Sequence, residues 1–478
     1  MEHVSAPSIP ATATPFPSAA RETKDLWLNV GPAHPAMHGI IRIILQLDGE
    51  TVRGADVEIG YLHRGFEKMC EQGGYNHAIP YTDRLNYVSP LINNVGYCMA
   101  IEKLMGITVP ERCQHIRVIM SELSRVTDHL TCIGASAMEL GAFTVFLYMI
   151  KAREYLWELI ELVTGARLTV TYCRVGGVKA DLPEGFAERT RVALRQTREV
   201  VKEVDRLLTR NRIFVDRMKG TGTIAQADAI AYGITGPFLR ATGVNYDVRK
   251  AQPYAVYPQV RFDVPVGQHG DNLDRYFVRM EEMEQSMRIV EQCLGQIPGG
   301  PIQVDARGRP STPLGTVLSE AEGRVEGRPI EAAEMVDEAK MGRIPAIADT
   351  SPVTDPTLEG SNRPFHQRVN APAKRAVLPP KDDAYGNIEG LMQHFKLVMH
   401  GHGIRPPKGE VYQAVEGANG ELGFYVVSDG TDKPYRVRVR PPCLPIMAAL
   451  PILLTGDMMA DVVPTFGSVN MIGGELDR

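Results

Sequence analysis

The sequence has no closely paired cysteines. Its seven, Cys70, Cys98, Cys113, Cys132, Cys173, Cys293 and Cys443, are scattered, odd in number and never in a Cys-X-X-Cys spacing. That argues against a disulfide framework and for a reducing compartment. It also removes the close thiolate spacing with which a chain holds an iron–sulfur cluster by itself. A second absence is any run of about 20 apolar residues free of charge and helix breakers. Leu130 to Ile150 comes nearest but carries Glu139, and Pro441 to Gly456 is interrupted by Pro441, Pro442, Pro445 and Pro451. Neither reads as a membrane span, so work at a membrane would go through partners. The first 20 residues have no basic stretch followed by an apolar one, which argues against a secretion signal. Positive charge is not in excess either. With a net charge of -5 there is no basic field to favour nucleic acid.

What remains is an ordinary globular composition, 44% apolar and 23% charged, in 478 residues. That length points to one large domain with additions, or to two domains. Residues 1–24, rich in Pro, Ala, Ser and Thr, read as a flexible arm. Residues 25–62 read as β-rich. Leu26 to Val30 and Ile40 to Leu47 are strand-like, and Asp48-Gly49 turns the chain into Val52 to Ile59. From 63 to 300 the pattern is helical. In Asp271 to Leu294 the residues Leu273, Phe277, Met280, Met283, Met287, Val290 and Leu294 recur at three- and four-residue steps. Ala193, Val200, Val204 and Leu207 form such a stripe in Glu188 to Leu208, and Gly165 is placed to end the helix holding Tyr155, Leu159 and Leu162. Residues 301–380 have few aromatics and much Pro, Gly and charge, the composition of a low-order insertion, with a short helix expected near Ile330 to Lys340. Residues 381–478 read as an α/β region that completes the core. Its helix spans Asn387 to Met399, a hairpin turns at Asn419-Gly420, and a strand carries Val437 and Val439.

The loop Gly31-Pro32-Ala33-His34-Pro35-Ala36-Met37-His38-Gly39 is held by two prolines and two glycines between strands. From the residues alone it is either a functional loop or a structural turn. Its histidines lack a visible third ligand, which disfavours a metal. Tyr81 to Ser89 is dense in hydrogen-bonding groups, although a half-buried tyrosine there needs no function. Glu139 lies among small apolar residues, where a carboxylate must be paired or titrate abnormally. An ion pair with an arginine and an acid/base role both remain open for it. Glu122, Arg125 and His129 share a helix face and read as an intrahelical polar network. His394, His400 and His402 read as surface or loop histidines. Gly220-Thr221-Gly222-Thr223-Ile224-Ala225 lacks the strand and the βαβ unit of a dinucleotide site. Thr223 and Gln226 are expected to form a capping box there instead.

Taken in order, GPAHPAMHG, GYLHRGFEK at Gly60 to Lys68, YTDRLNYVS, YCRVGGV at Tyr172 to Val178, GPFLRATGV at Gly236 to Val244, HFKLV at His394 to Val398 and the terminal GELDR resemble the D subunit of bacterial NADH-quinone oxidoreductase, respiratory complex I. The resemblance runs from about Trp27 to the end, apart from the insertion. It implies an α+β, mainly α fold like the large subunit of nickel–iron hydrogenases, a helical bundle with β elements at both ends. It also implies a peripheral place on the cytoplasmic side of the inner membrane. The hydrogenase cysteine pairs are missing, so the resemblance implies a cavity used for a quinone headgroup and no metal held by this chain. NADH, FMN and iron–sulfur clusters would belong to partner subunits. The B and C subunits and the membrane-arm junction subunit are the implied neighbours. His38 and Tyr87 correspond to the family's quinone ligands, with His34 and Arg64 in support and Ile472 near the headgroup. Where the family usually has Asp, this chain has Glu139, an acid expected to favour the imidazolium of His38. The alternatives are an equivalent subunit fed by ferredoxin, and a metal-free, hydrogenase-like structural subunit.

Overall fold

The computed structural model describes residues 25–304, 385–386, 388–399 and 403–478. The expected N-terminal arm, the insertion with its short helix, and His400 and His402 lie outside or almost wholly outside these residues. The N-terminal sheet is antiparallel, in the order β1 (Leu26–Val30), β2 (Arg42–Asp48), β3 (Thr51–Glu58). In β2 every second side chain, Ile43, Leu45 and Leu47, is buried, as the two-residue period of a strand requires. Helices follow: α1 (Phe66–Gln72), α2 (Ile79–Thr82), α3 (Pro90–Met105), α4 (Glu111–Glu139), α5 (Phe143–Thr164), α6 (Phe186–Leu208), α7 (Arg212–Met218), α8 (Gln226–Ala231), α9 (Gly236–Ala241), α10 (Val248–Ala251) and α11 (Asn272–Gln296). A two-strand hairpin, β4 (Cys173–Arg174) and β5 (Gly177–Val178), closes the YCRVGGV motif between α5 and α6. After α12 (Ile388–Val398) come a second antiparallel sheet, β6 (Gly409–Glu416), β7 (Glu421–Ser428) and β8 (Arg436–Arg440), and then α13 (Cys443–Leu454), α14 (Val462–Val469) and α15 (Gly473–Leu476).

The result is the expected mixed, mainly helical architecture. At its centre α4 packs on α3, α5 and α11, while the second sheet lies on α3. Gly96 permits that last contact, because a Cβ there would lie 2.9 Å from both Phe424 and Val415. Gly165 ends α5 in the left-handed conformation, φ 83°, in agreement with its position after Thr164.

Several local expectations need correction. Leu207 is 44% exposed and Leu208 takes the buried position, so the α6 stripe is shifted by one residue at its end. Phe277 is exposed as well. On α11 the buried set includes Arg275, Arg279 and Glu282 alongside Met283, Met287 and Val290, because neighbours cover more than one face. The capping box at Thr223 does not form: Ala225 caps α8, and no side chain bonds to it.

The expected network of Glu122, Arg125 and His129 reaches far beyond one helix. Arg125 does bond Glu122 within α4, at 3.2 Å, and its other nitrogens donate to the carbonyls of Glu416 and Gly417 at 2.6 and 2.7 Å. Arg249 donates to Asp247 at 2.7 Å and to Glu122 and Glu282 at 3.1 Å. Arg240 spans Glu282 at 2.9 Å and Glu416 at 2.8 Å, and Tyr257 donates to Glu122. His129 faces Glu282 at 3.2 Å rather than a partner on its own helix. All of these side chains are buried. Buried charges are tolerated when each is paired and hydrogen-bonded, and removing one partner strands the rest. Arg240→Met should therefore destabilise the protein by about 3–5 kcal/mol, read as a lower urea midpoint of the full chain. Adding Glu282→Gln should recover part of that loss, and additive losses would show that the two do not act as a pair.

Candidate functional site

The loop after β1 folds into a single 3-10 turn over Pro35–Met37. Pro35 starts it with its φ already set. His34 caps it, its Nδ1 accepting from the amide of Ala36 at 3.2 Å. That bond gives His34 a supporting part in the loop. His38 ends the turn with φ 55°, a left-handed conformation that histidine adopts more readily than most residues. The imidazole thereby leaves the strand direction and faces α4. Its Nε2 lies 4.0 Å from Oε1 of Glu139, the last residue of that helix.

At 4.0 Å the pair is close enough for charge to act, yet too long for a hydrogen bond. The His38 side chain is 51% exposed and that of Glu139 only 8%. Burial pushes the Glu139 carboxyl up to about 7 and lowers His38 below its ordinary value. Burial thus works against the imidazolium that a neighbouring acid was expected to favour at His38, and favours the protonated form of Glu139. Its Oε2 has no hydrogen-bond partner among the described residues.

Tyr87 sits between α2 and α3, in the segment that hydrogen bonds fold tightly. The amides of Val88 and Ser89 donate to the Asn86 side chain at 3.2 Å, and Asn93 donates to the carbonyls of Thr82 and Asn86. Asp83, also in this segment, accepts from the amide of Thr171 at 2.9 Å and so ties it to the YCRVGGV region. The Tyr87 ring is partly buried, and its hydroxyl makes no hydrogen bond among the described residues. Burial first, then nearby Cys443 and Asp128, raise its pKa, while Arg64 acts in the opposite direction. Arg64 itself is anchored by the carbonyls of Arg84 and Gly474. The phenol thus keeps its proton and has a cation nearby.

His38 faces Glu139, Arg64 is near enough to Tyr87 for its charge to act on it, and the C-terminal segment 467–477 reaches both places. Gly467 lies against Glu139 and accepts through its carbonyl from Ser136 at 2.8 Å. Asn470 donates to Asp128 at 2.7 Å. Ile472, buried as it caps α15, precedes Gly473, which lies under Ile40 and Leu62. Gly474 has no room for a side chain, since a Cβ would lie 2.8 Å from the Leu85 carbonyl. The Asp477 carboxylate then accepts from the amides of Gly60 and Leu62 at 2.9 and 2.8 Å. The GYLHRGFEK and GELDR motifs are therefore two halves of one clasp.

A family model described as the respiratory-chain NADH dehydrogenase 49 Kd subunit matches residues 139–328 and 359–478. The chain is 49% identical to NADH-quinone oxidoreductase D subunit 1 of Sorangium cellulosum, covering 95% of this chain and 96% of that one. The chain belongs to the D-subunit family of NADH-quinone oxidoreductase. The D subunit of Myxococcus xanthus is 47% identical over 96% of this chain and 94% of its own length. A C/D subunit of Bdellovibrio bacteriovorus is 44% identical over 97% of this chain and 70% of its own. Like the sequence, the described residues include no helix long and apolar enough to cross a membrane.

Reading residue types did not reveal the second layer around this D-subunit site. Cys443 donates its amide to Glu475, whose carboxyl burial raises to about 7, and Asn419 reaches the Cys443 sulfur. Acidic and amide residues near the chain end were the available signal, but only the fold shows what they face. Among the described residues Asp247, Glu282 and Glu416 lie close enough to hold a metal. Their oxygens already face Arg240 and Arg249, so the arrangement is that of an ion-pair lattice.

The Glu139 carboxyl has a pH signature. Its pKa is about 7 when folded against 4.5 for the ordinary carboxyl. Between those values the folded state holds more protons, so its contribution makes stability fall as pH rises from about 4.5 to about 7 and level off above that. His38 acts oppositely just below its ordinary value of 6.5. Glu139→Gln should flatten the decline in urea-midpoint profiles across this window, and an unchanged profile would disprove the raised carboxyl.

Proposed function

We propose that this chain forms one wall of the quinone-headgroup site in the peripheral arm of a proton-translocating NADH-quinone oxidoreductase. The B subunit would supply the facing wall and, from its iron–sulfur cluster, the electrons. The observation that carries this reading is the placement of half-exposed His38 4.0 Å from the Glu139 side chain, which is only 8% exposed, on the same C-terminal wall as a Tyr87 hydroxyl with no internal partner among the described residues. Reduction of a quinone to a quinol takes two electrons and two protons, one at each carbonyl oxygen. A phenol and an imidazole are suitable donors, and they stabilise the charge that develops there. In this scheme Tyr87 donates to one carbonyl and His38 to the other, and Glu139 passes its proton through one bridging water to His38 as that ring gives one up, since 4.0 Å is too long for direct transfer. His34 holds the loop, Arg64 sits beside the phenol, and Ile472 contributes apolar surface near the headgroup.

In the same reading this chain holds no metal or cluster. All seven cysteines are free and buried, and burial pushes thiols such as Cys132 to about 11, away from the thiolate that a metal ligand needs. NADH and FMN would be bound elsewhere in the assembly. The C subunit is a natural neighbour, because in Bdellovibrio the printed name of the matching relative joins C and D in one chain. The membrane-arm junction subunit would lie below the site, with the whole peripheral arm on the cytoplasmic side. The likeness to hydrogenase large subunits belongs to the same proposal, as an origin for the cavity.

Tyr87→Phe keeps the ring and removes the donor. Quinone reduction by the assembled complex should fall by about tenfold or more, while NADH oxidation by an artificial acceptor stays near wild type. Equal loss of both would point to an assembly defect and to the scaffold reading.

Glu139 allows a sharper test. Glu139→Gln preserves size but cannot relay a proton, so quinone turnover per assembled complex should drop by about tenfold or more. Glu139→Asp keeps the acid and should retain much more activity. Wild-type turnover in the Gln variant, or equal damage in both, would remove Glu139 from the proton path.

A further inference from the structure

Two buried arginines stand apart from the ion-pair lattice. Arg275 and Arg279 project one turn apart from α11, and among the described residues neither has a carboxylate within ion-pair distance. The two terminal nitrogens of Arg275 donate to neutral oxygens, Asn272 at 2.6 Å, Ser468 at 3.1 Å, and the carbonyls of Gly222 and Gly270 at 2.6 and 2.9 Å, while its Nε has no partner among the described residues. It also lies over the Phe238 ring at 3.8 Å. Burial, with Arg279 as a second cause, pushes it down to about 9, so it is still a cation near neutrality.

Arg279 is far less well served. It is 3% exposed, its Nε has no partner among the described residues, and its one hydrogen bond there is a 3.5 Å contact with the Arg275 carbonyl. Its side chain lines a cavity with Cys132, Ser136, Tyr276, Asn272 and Ser468, which Phe214 and Met218 help to close. The free core of this cavity is about 10 Å³, room for a single water-sized occupant, and the flexible Met218 can yield slightly. On α11 itself Glu281 accepts from Gln285, and Glu282 from Arg240 and Arg249; Glu139, one turn beyond Ser136, is the neighbouring acid whose Oε2 has no hydrogen-bond partner among the described residues. Asp271 accepts from the amides of Gly220 and Asp274, and Asp128 from Ser89 and Asn470. Burial of the Cys132 thiol pushes it to about 11, so it stays neutral.

A water molecule could satisfy the open guanidinium donor but would leave the charge uncompensated. An unpaired buried cation is costly by more than a missing hydrogen bond. We propose that this cavity is a binding site for one small monovalent anion of the halide class, chloride in physiological media, held by Arg279 with Arg275 behind it. The anion would balance the α4–α11–α14 junction directly beneath the helical turn that carries Glu139. This site stands independently of the quinone reading, because its test needs neither quinone nor turnover.

The full-length protein is compared in chloride, bromide and gluconate at one fixed ionic strength. Its Tm should be higher by about 2–4 °C in either halide than in gluconate, and Arg279→Gln should abolish the difference. Bromide-soaked crystals should give an anomalous peak within hydrogen-bonding distance of the Arg279 guanidinium. If Arg279→Gln does not fold, Cys132→Leu fills the cavity without removing the charge, and it too should erase the halide effect. The site is disproved by the absence of a bromide peak, by a halide effect that survives filling of the cavity, or by a structure in which the Glu139 carboxylate occupies it as an internal partner.

Discussion

The ion lattice inside the bundle is the constraint on which the rest of the structure depends. Arg240 comes from α9, Arg249 from α10, Glu122 and Arg125 from α4, Glu282 from α11 and Glu416 from β6. Each must arrive for the others to be satisfied, because an isolated buried charge is far more costly than a paired one. Four carboxylates, Glu122, Asp247, Glu282 and Glu416, face three guanidinium groups, with His129 at 3.2 Å from Glu282. A lattice of this kind fixes register as well as distance. Sliding α11 by one residue would turn Glu282 away from both Arg240 and Arg249. The helix that carries Glu139 is thereby set in depth and rotation by contacts well removed from its own end.

That rigidity suits the candidate site. His38 is on a turn between strands, Tyr87 on a knot of hydrogen bonds before α3, and Glu139 at the last position of α4. The proposed proton transfer needs three elements distant in sequence to hold their polar groups to within a fraction of an ångström. The small residues Gly467, Gly473 and Gly474 let the C-terminal segment press against each in turn. A group with the pKa of Glu139 is useful only in such a setting, because the exclusion of water that raises the pKa would vanish in a loose loop.

Much of this was legible in the sequence. The strands of the N-terminal sheet show in their alternation, and the hairpin at Asn419-Gly420 in its turn chemistry. Gly165 marks the end of α5, and the family is written in the ordered motifs. The pairing of His38 with Glu139 was expected from resemblance and found at 4.0 Å. The direction of charge was not foreseen, because burial is a property of the packed fold and no residue type announces it. For the same reason the apolar stripe of α11 does not show that Arg275, Arg279 and Glu282 are buried with it; neighbours on several sides do. Thr223 and Gln226 matched a capping spacing, yet the chain enters α8 through Ala225 without a side-chain cap. Spacing alone does not fix backbone direction.

The Asp477 clasp on Gly60 and Leu62 carries a consequence for biogenesis. Residues 467–477 leave the ribosome after the sheets and the bundle helices that they close, and they wall both halves of the candidate site. The amides of Gly60 and Leu62 therefore have no Asp477 partner, and the wall of the candidate site is incomplete, until translation has passed Asp477. A nascent or prematurely terminated chain can hence have most of its core and no closed site.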